Sequence, residues 1–368
     1  MTDSATQMIR VTGLTRTYGT FTALDQVDLS VRKGEFVTLL GPSGSGKSTL
    51  LNLIAGMTQP SGGRIEIDGR DATHLPTNKR GLGMVFQNYA LMPHMTVFQN
   101  IAFPLQVRRL SKEEIARRVQ GALKLVQLAH VADRKPKQLS GGQQQRISLA
   151  RCIVYEPSII LMDEPLGALD KKLREDMQLE IKRLHAELGV TMIYVTHDQE
   201  EALSMSDRIV LMRKGRIEQQ GAPEDLYFRP RTLFAADFLG SSNLVEGTID
   251  ASAGQFRTSL GALPLPAPQP GAPATGAGVL MVRPEAMRFD PASDAASGWP
   301  GIEATVRDSI VLGGVLRHYL EADNGHRLIV QEGSSAHRAR PQRGARLRVG
   351  WGPDAARLLP PDPEFGKT

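Results

Sequence analysis

The chain has 368 residues, a formal net charge of +5 and one cysteine. That length suits two or three domains, and the charge is too mild and too dispersed to argue for a nucleic-acid partner. The lone Cys152 excludes an intramolecular disulfide and reads as a small core residue of a helix. No apolar run reaches the roughly 18 residues of a membrane-crossing helix. The N-terminus shows no secretion-signal pattern. A cytosolic chain is expected, with anything transmembrane supplied by partners.

Residues 1–30 alternate short apolar and polar stretches and read as antiparallel strands. FVTLL (36–40) is too short for a typical helix and reads as a buried strand. The loop GPSGSGKST follows, made of Gly41, Pro42, Ser43, Gly44, Ser45, Gly46, Lys47, Ser48 and Thr49. It opens a helix, STLLNLIAGM, that Gly56 is expected to end. Glycines between a strand and a helix N-terminus let backbone N–H groups approach phosphate oxygens, and the helix dipole favours negative charge there. Lys47 is then expected to reach β- and γ-phosphates and the Ser48 hydroxyl to ligate Mg²⁺.

A second apolar strand, GLGMVFQ, ends at Gln87. Beyond it, Ser111 and Glu114 have capping-box spacing. Ile115, Val119, Leu123 and Val126 then recur near helical spacing. LSGGQ (139–143) precedes QQQRISLARCIVYE, a plausible amphipathic helix whose N-terminus, with the Ser140 hydroxyl, could meet a phosphate. A chain with one phosphate loop would need no second phosphate site of its own.

SIILMDE ends on Asp163 and Glu164. Two adjacent carboxylates at the end of a buried strand are costly unless something pairs them. Asp163 is expected to face magnesium, and Glu164 to orient and deprotonate an attacking water. The helix in LDKKLREDMQLEIKRLHAELG carries a stripe of Leu173, Met177, Ile181, Leu184 and Leu188, stops at Gly189, and reads as core packing. The strand TMIYVTH ends at His197. In open parallel sheets ligand residues gather beyond the carboxyl ends of strands, so four strands would deliver Gly41, Gln87, Asp163 and His197 to one edge.

After about residue 240 helical periodicity fades. Short strands punctuated by Gly and Pro take over, which suggests a barrel. Asp323-Asn324-Gly325 is a hairpin signal. LPLPAPQPGAPATGAG is read as an ordered strand and a long turn within that barrel.

Taken together, these motifs resemble the ATP-binding subunits of ABC transporters over essentially the whole chain. The resemblance implies a fold: an α/β P-loop nucleotide-binding domain (RecA-like core, antiparallel β subdomain, helical subdomain) followed by an all-β OB-like C-terminal domain. It places the nucleotide domain at 1–240, its helical subdomain at about 88–155, and the C-terminal (TOBE) domain at 241–368. Gly41–Thr49 resemble Walker A and Ile159–Glu164 Walker B. Gln87 resembles the Q-loop glutamine, a Mg²⁺ ligand with Ser48 and Asp163, and His197 the switch histidine. Tyr18 resembles the aromatic that stacks on adenine. Ser140, Gly141, Gly142 and Gln143 resemble the signature that closes on ATP held by the other copy, and Leu169-Asp170 in LGALD resemble the D-loop. Gly167 departs from the Ser or Asn with which many relatives begin that loop.

The resemblance implies ATP and Mg²⁺, a head-to-tail homodimer, two transmembrane permease subunits and an extracytoplasmic binding protein, with no nucleic-acid partner. It implies a peripheral position on the cytoplasmic face of the membrane. The stretch after Gln87 is either plain core or part of a socket for a permease helix. NLVEGTI and VRPE resemble the domain that importer ATPases carry and exporters usually lack. LGALDKKLREDMQLEIKRLH looks most like the ATPases of spermidine/putrescine importers. Sugar, iron(III) and sulfate importers share most of it, and a soluble ABC ATPase acting on DNA or ribosomes is the remaining alternative.

Overall fold

The computed structural model describes residues 7–167, 169–289, 300–335, 340–352 and 354–365. Its contacts divide the chain into two compact units, 1–223 and 224–368. Among the described residues, no helix is long and apolar enough to cross a membrane.

In the first unit, β1 (Gln7–Tyr18) and β2 (Phe21–Arg32) form an antiparallel hairpin whose alternating burial follows the apolar alternation of the sequence. β3 (Phe36–Leu40) is buried along its whole length and feeds α1 (Lys47–Ala55), which Gly56 closes in the left-handed conformation. β4 (Gly62–Ile67) and β5 (Arg70–Asp71) extend the first hairpin into a four-stranded antiparallel sheet. The chain continues through β6 (Leu82–Val85), α2 (Val97–Val107), α3 (Lys112–Leu125), α4 (Gly141–Ile153), β7 (Ile159–Asp163), α5 (Lys171–Leu188), β8 (Thr191–Thr196), α6 (Gln199–Met205), β9 (Arg208–Arg213) and β10 (Arg216–Gly221).

The second sheet has the order β10-β9-β3-β8-β7-β6. Its pairs from β9 to β6 are parallel and only β10 is antiparallel. This register brings the carboxyl ends of β3, β7 and β8 side by side: Leu40 pairs with Thr196, and Asp163 with Val195. Helices α2, α3 and α4 share a separate apolar core in which Ile115, Val119, Leu123 and Val126 are all buried.

Two local expectations need correction. Ser111 caps α3 by accepting the Glu114 N–H, but the reciprocal half of the box is missing. The Glu114 carboxylate turns instead to Arg117 and Arg118, and their hydrogen bonds hold its pKa down at about 2. On α5, Met177, Ile181 and Leu184 are buried as the stripe requires, whereas Leu188 is exposed beside the terminating Gly189.

The second unit contains α7 (Pro223–Phe228, from Glu224 on), α8 (Leu233–Phe238) and two five-stranded sheets. One sheet is built from β11 (Asn243–Asp250), β12 (Gln255–Thr258), β13 (Gly261–Pro264), β14 (Gly276–Val282) and β20 (Ala356–Leu359). The other comprises β15 (Met287–Phe289), β16 (Gly301–Leu312), β17 (Val315–Ala322), β18 (Arg327–Gly333) and β19 (Arg346–Trp351). They enclose one core, to which Val245, Phe256 and Leu280 contribute from the first and Ile302, Leu320 and Trp351 from the second. The Pro-rich stretch supplies the second half of β13 and a turn whose Leu265 and Ala272 pack on that core. The Asn-Gly turn joins β17 to β18, with Gly325 at φ 82°.

The VRPE sequence has a structural meaning here. The Arg283 guanidinium is buried, lies 4.2 Å from the Tyr227 ring centroid, and donates to the carbonyls of Tyr227, Ala236, Gly240 and Ser241. Glu285 accepts the Tyr227 hydroxyl at 2.7 Å. Two of the four motif residues thus fasten the helical segment to the strands of its own unit.

Candidate functional site

The loop after β3 folds around Lys47. Its Nζ is buried and donates to the carbonyls of Gly41 (2.8 Å) and Pro42 (2.9 Å). Gly46 is forced twice over. It sits at φ 101°, and a Cβ there would lie 2.8 Å from both the Ala23 carbonyl oxygen and a Leu24 methyl. From behind, the β9–β10 turn supports the loop, with Gly215 N–H donating to the Ser45 carbonyl at 3.0 Å. The Ser45 hydroxyl is buried and, among the described residues, has no hydrogen-bond partner.

Asp163 arrives from β7, and its Oδ1 accepts the Ser48 hydroxyl at 3.0 Å. Burial pushes the Asp163 carboxyl above its ordinary value, and neighbouring Glu164 adds to the rise against Ser48 and Lys47. Burial likewise lowers the Lys47 pKa, against the attraction of Glu164 and Asp163. The loop thus sets a desolvated cation, Lys47, and the first hydroxyl of a helix, Ser48, against one carboxylate pair, with the buried Ser45 hydroxyl a few residues before them. That donor set fits a polyphosphate with a divalent cation: hard oxygen ligands from Ser48 and Asp163, complemented by phosphate oxygens. Among the described residues no cluster of three or more His, Cys, Asp and Glu side chains is placed to hold a metal unaided.

Glu164 occupies the left-handed region at φ 42°, a costly backbone for a non-glycine residue. Its N–H is tied to the Val195 carbonyl at 3.0 Å, which fixes the turn to the end of β8. There its Oε2 meets His197 Nδ1 at 3.2 Å. The candidate base and the candidate switch are therefore in direct contact. Gln87 is exposed just past β6, and its Nε2 lies 4.0 Å from where a Cβ on Gly167 would be. That Cβ would meet nothing closer than 3.7 Å, so the turn has room for a larger residue.

Other predicted residues lie elsewhere. Tyr18 is half exposed at the β1–β2 turn, and the Arg16 guanidinium lies 4.3 Å from its ring centroid. Ser140 caps α4 in a full capping box with Gln143, and Asp170 caps α5. These two helix starts pack on each other: a Cβ on Gly142 would come within 2.7 Å of a Leu173 methyl, and one on Gly141 within 3.4 Å of Leu169. Among the described residues no hydrogen bond joins 139–143 to the phosphate loop.

Sequence reasoning missed several supporting residues. Asp198 caps α6, and Glu201 accepts Tyr194 Oη (2.8 Å) and Thr196 Oγ1 (2.6 Å), which locks the segment around His197. Asp198 followed by Glu201 is itself a helix-start pattern and was available as a signal. Arg174 links the Leu169 carbonyl (3.1 Å) to Asp198 (3.1 Å), beside a cavity of about 500 Å³ that His197 also lines. Arg80 is buried and donates to the carbonyls of Leu53 and Ile54 at the end of α1.

A family model described as ABC transporter matches residues 24–167, and one described as TOBE domain matches 280–359. The chain is 46% identical to the spermidine/putrescine import ATP-binding protein PotA of Rubrobacter xylanophilus, over 93% of this chain and 89% of that one. The chain belongs to the ABC transporter ATP-binding proteins. A second relative, the spermidine/putrescine import ATP-binding protein PotA of Pseudomonas aeruginosa, is also 46% identical, over 87% of this chain and 89% of its own. Among solved structures, the dimeric post-hydrolysis state of the ATP-binding cassette MJ0796 bound to ADP and Pi matches with TM-score 0.53. It is 37% identical and covers 59% of this chain and 99% of that one. The fold is accordingly that of an ABC cassette followed by an all-strand TOBE domain, and the chain is an ATPase of the transport type.

Proposed function

We propose that this ABC ATPase drives import of polyamines, spermidine and putrescine. Its residues 1–240 would hydrolyse MgATP and residues 241–368 would control that hydrolysis. The observation that carries the hydrolytic reading is the 3.2 Å contact between Glu164 and His197 beside the buried Lys47. Lys47 and the loop N–H groups bind the phosphates, with Ser45 as a further donor. Ser48, Asp163 and Gln87 would hold Mg²⁺, which would offset the charge of the phosphates. ATP supplies the phosphoryl group that is transferred to water. Glu164 takes the proton of the attacking water, and His197 fixes the carboxylate that does so. Tyr18 stacks on the base.

The capped start of α4 has its own unspent N–H groups, and its hydrogen bonds do not reach the phosphate loop of the same chain. This supports a head-to-tail homodimer in which Ser140, Gly141, Gly142, Gln143 and Asp170 serve the partner's nucleotide. Two equivalent sites follow from the two-fold axis. The dimer would sit on the cytoplasmic face of the membrane against two permease subunits, fed by an extracytoplasmic binding protein. The import reading and the substrate are supported by the names of the relatives.

The test is uptake of labelled spermidine and putrescine by cells lacking the gene, complemented with wild type or with Glu164→Gln. Uptake restored by wild type alone is expected. Uptake that survives the deletion, with ATP hydrolysis by the purified protein intact, would move the substrate to a sugar, iron(III), sulfate or another solute.

A further inference from the structure

The chain leaving the Q-loop turns through two consecutive non-glycine residues in the left-handed region, Tyr89 at φ 59° and Ala90 at φ 48°. Left-handed backbone is strained for an L-residue that carries a Cβ, so something must over-determine the turn. Three hydrogen bonds do, and all come from α4. Ser148 Oγ donates to the Tyr89 carbonyl at 3.0 Å; Arg151 donates to the same carbonyl at 2.8 Å and to that of Ala90 at 2.7 Å. The guanidinium is half-buried, and burial lowers its pKa, so a cation has been desolvated to serve two backbone oxygens.

The next residue, Cys152, seals the same joint. A Cβ on Gly83 of β6 would fall 2.4 Å from its sulfur. Burial pushes the Cys152 thiol up to about 12, so it acts as packing. The last turns of α4 are therefore joined to β6 before Gln87 through Gly83, and to the chain after it through Tyr89 and Ala90. The first turn of α4 begins at Ser140, eleven residues away, or about 16 Å along a rigid helix.

We propose that Arg151, assisted by Ser148, is a positioning residue: it makes α4 and the Q-loop one rigid body, so that the signature end and Gln87 cannot move independently. Two sites on different nucleotides would then be set by one displacement, because an α-helix transmits translation without bending. This rests on the hydrolytic reading above.

The experiment compares wild type with Arg151→Met, which keeps the alkyl stem, and Ser148→Ala, which removes one bond to Tyr89. Four quantities are measured on the full chain: thermal stability, nucleotide affinity, steady-state hydrolysis and amide exchange across 86–95. Arg151→Met is expected to leave ATP affinity within about twofold, since its hydrogen bonds go to Tyr89 and Ala90 and not to the phosphate loop. It should lower kcat by about 10²-fold, as misplacement by an ångström does, and accelerate exchange selectively at 88–92. Ser148→Ala should show the same split at smaller amplitude. Unchanged kcat, or exchange no faster at 88–92 than elsewhere, overturns the proposal. So does a parallel loss of affinity, activity and stability in Ser148→Ala, which would mark mere packing. If the wild type fails to hydrolyse ATP, the functional reading falls, while the exchange and stability data still decide whether the two segments are joined.

Discussion

The contact between Glu164 and His197 makes a sharp prediction about how their losses combine. Glu164→Gln keeps the shape of the side chain and the strained turn but removes the base, so kcat should fall by about 10² to 10⁴. His197→Ala removes the imidazole whose Nδ1 lies 3.2 Å from the carboxylate. A hydrogen bond to a charged group contributes about 1.5–3 kcal/mol, and 1.36 kcal/mol is tenfold in rate, so if this contact tightens into one during hydrolysis, as catalytic hydrogen bonds do, the expected loss is about 10- to 150-fold. If His197 acts through Glu164, its removal in the Glu164→Gln background should cost less than about threefold, because residues acting as a unit are non-additive. Single-turnover phosphate release, with nucleotide affinity measured on the same four proteins, completes the cycle. Equal fractional losses of rate on removing His197 in the two backgrounds would refute the reasoning. They would mean that His197 meets the phosphate by itself.

Asp163 carries a raised pKa, so its folded form binds a proton more tightly than the unfolded chain; its contribution to stability is present below the unfolded value and lost as pH rises through the folded one. At pH 7 the charge is a net cost, and Asp163→Asn should raise the melting temperature without nucleotide and abolish the rise that MgATP gives; a lower melting temperature would contradict this. Glu35 is the opposite case: burial raises it, but hydrogen bonds from Arg208 and Arg32 and the charge of Arg208 hold it below the ordinary carboxylate value. Its stabilisation is present above the unfolded value and lost as pH falls through the depressed folded one, so Glu35→Gln should cost about 3 kcal/mol at pH 7 and progressively less in acid, as read from urea midpoints. Gln145 of α4 is fully buried, and among the described residues neither of its amide atoms has a hydrogen-bond partner. Gln145→Met should therefore stabilise by about 1–3 kcal/mol, and a loss of stability would point to a partner for that amide.

Much of the site was legible because its signals are local. Gly46, Lys47 and Ser48 declare themselves by spacing, and the loop conformation they need is set within nine residues. The ends of α1 and α5 were read from Gly56 and Gly189, whose left-handed caps depend on the absence of a Cβ and on nothing distant. The alternation of β1 and β2 announced a hairpin for the same reason. Glu114 shows where local reading fails: the capping-box pattern is genuine, but two arginines on the next turn outcompete one backbone N–H for its carboxylate.

What the tertiary structure decided was mostly the placement of cations on carbonyls. Arg80 on Leu53 and Ile54, Arg151 on Tyr89 and Ala90, and Arg283 on Tyr227, Ala236 and Gly240 all join segments far apart in the chain. No pattern announces such bonds, because every residue carries the same backbone oxygen and only the fold selects which are left without a partner. The sequence therefore determined the chemistry of the phosphate loop, the carboxylate pair and the signature. The sheet register brought Asp163 and Val195 level, and so set Glu164 against His197. That meeting rests on pairing between strands whose apolar side chains are interchangeable, and it could be known only once the strands were in place.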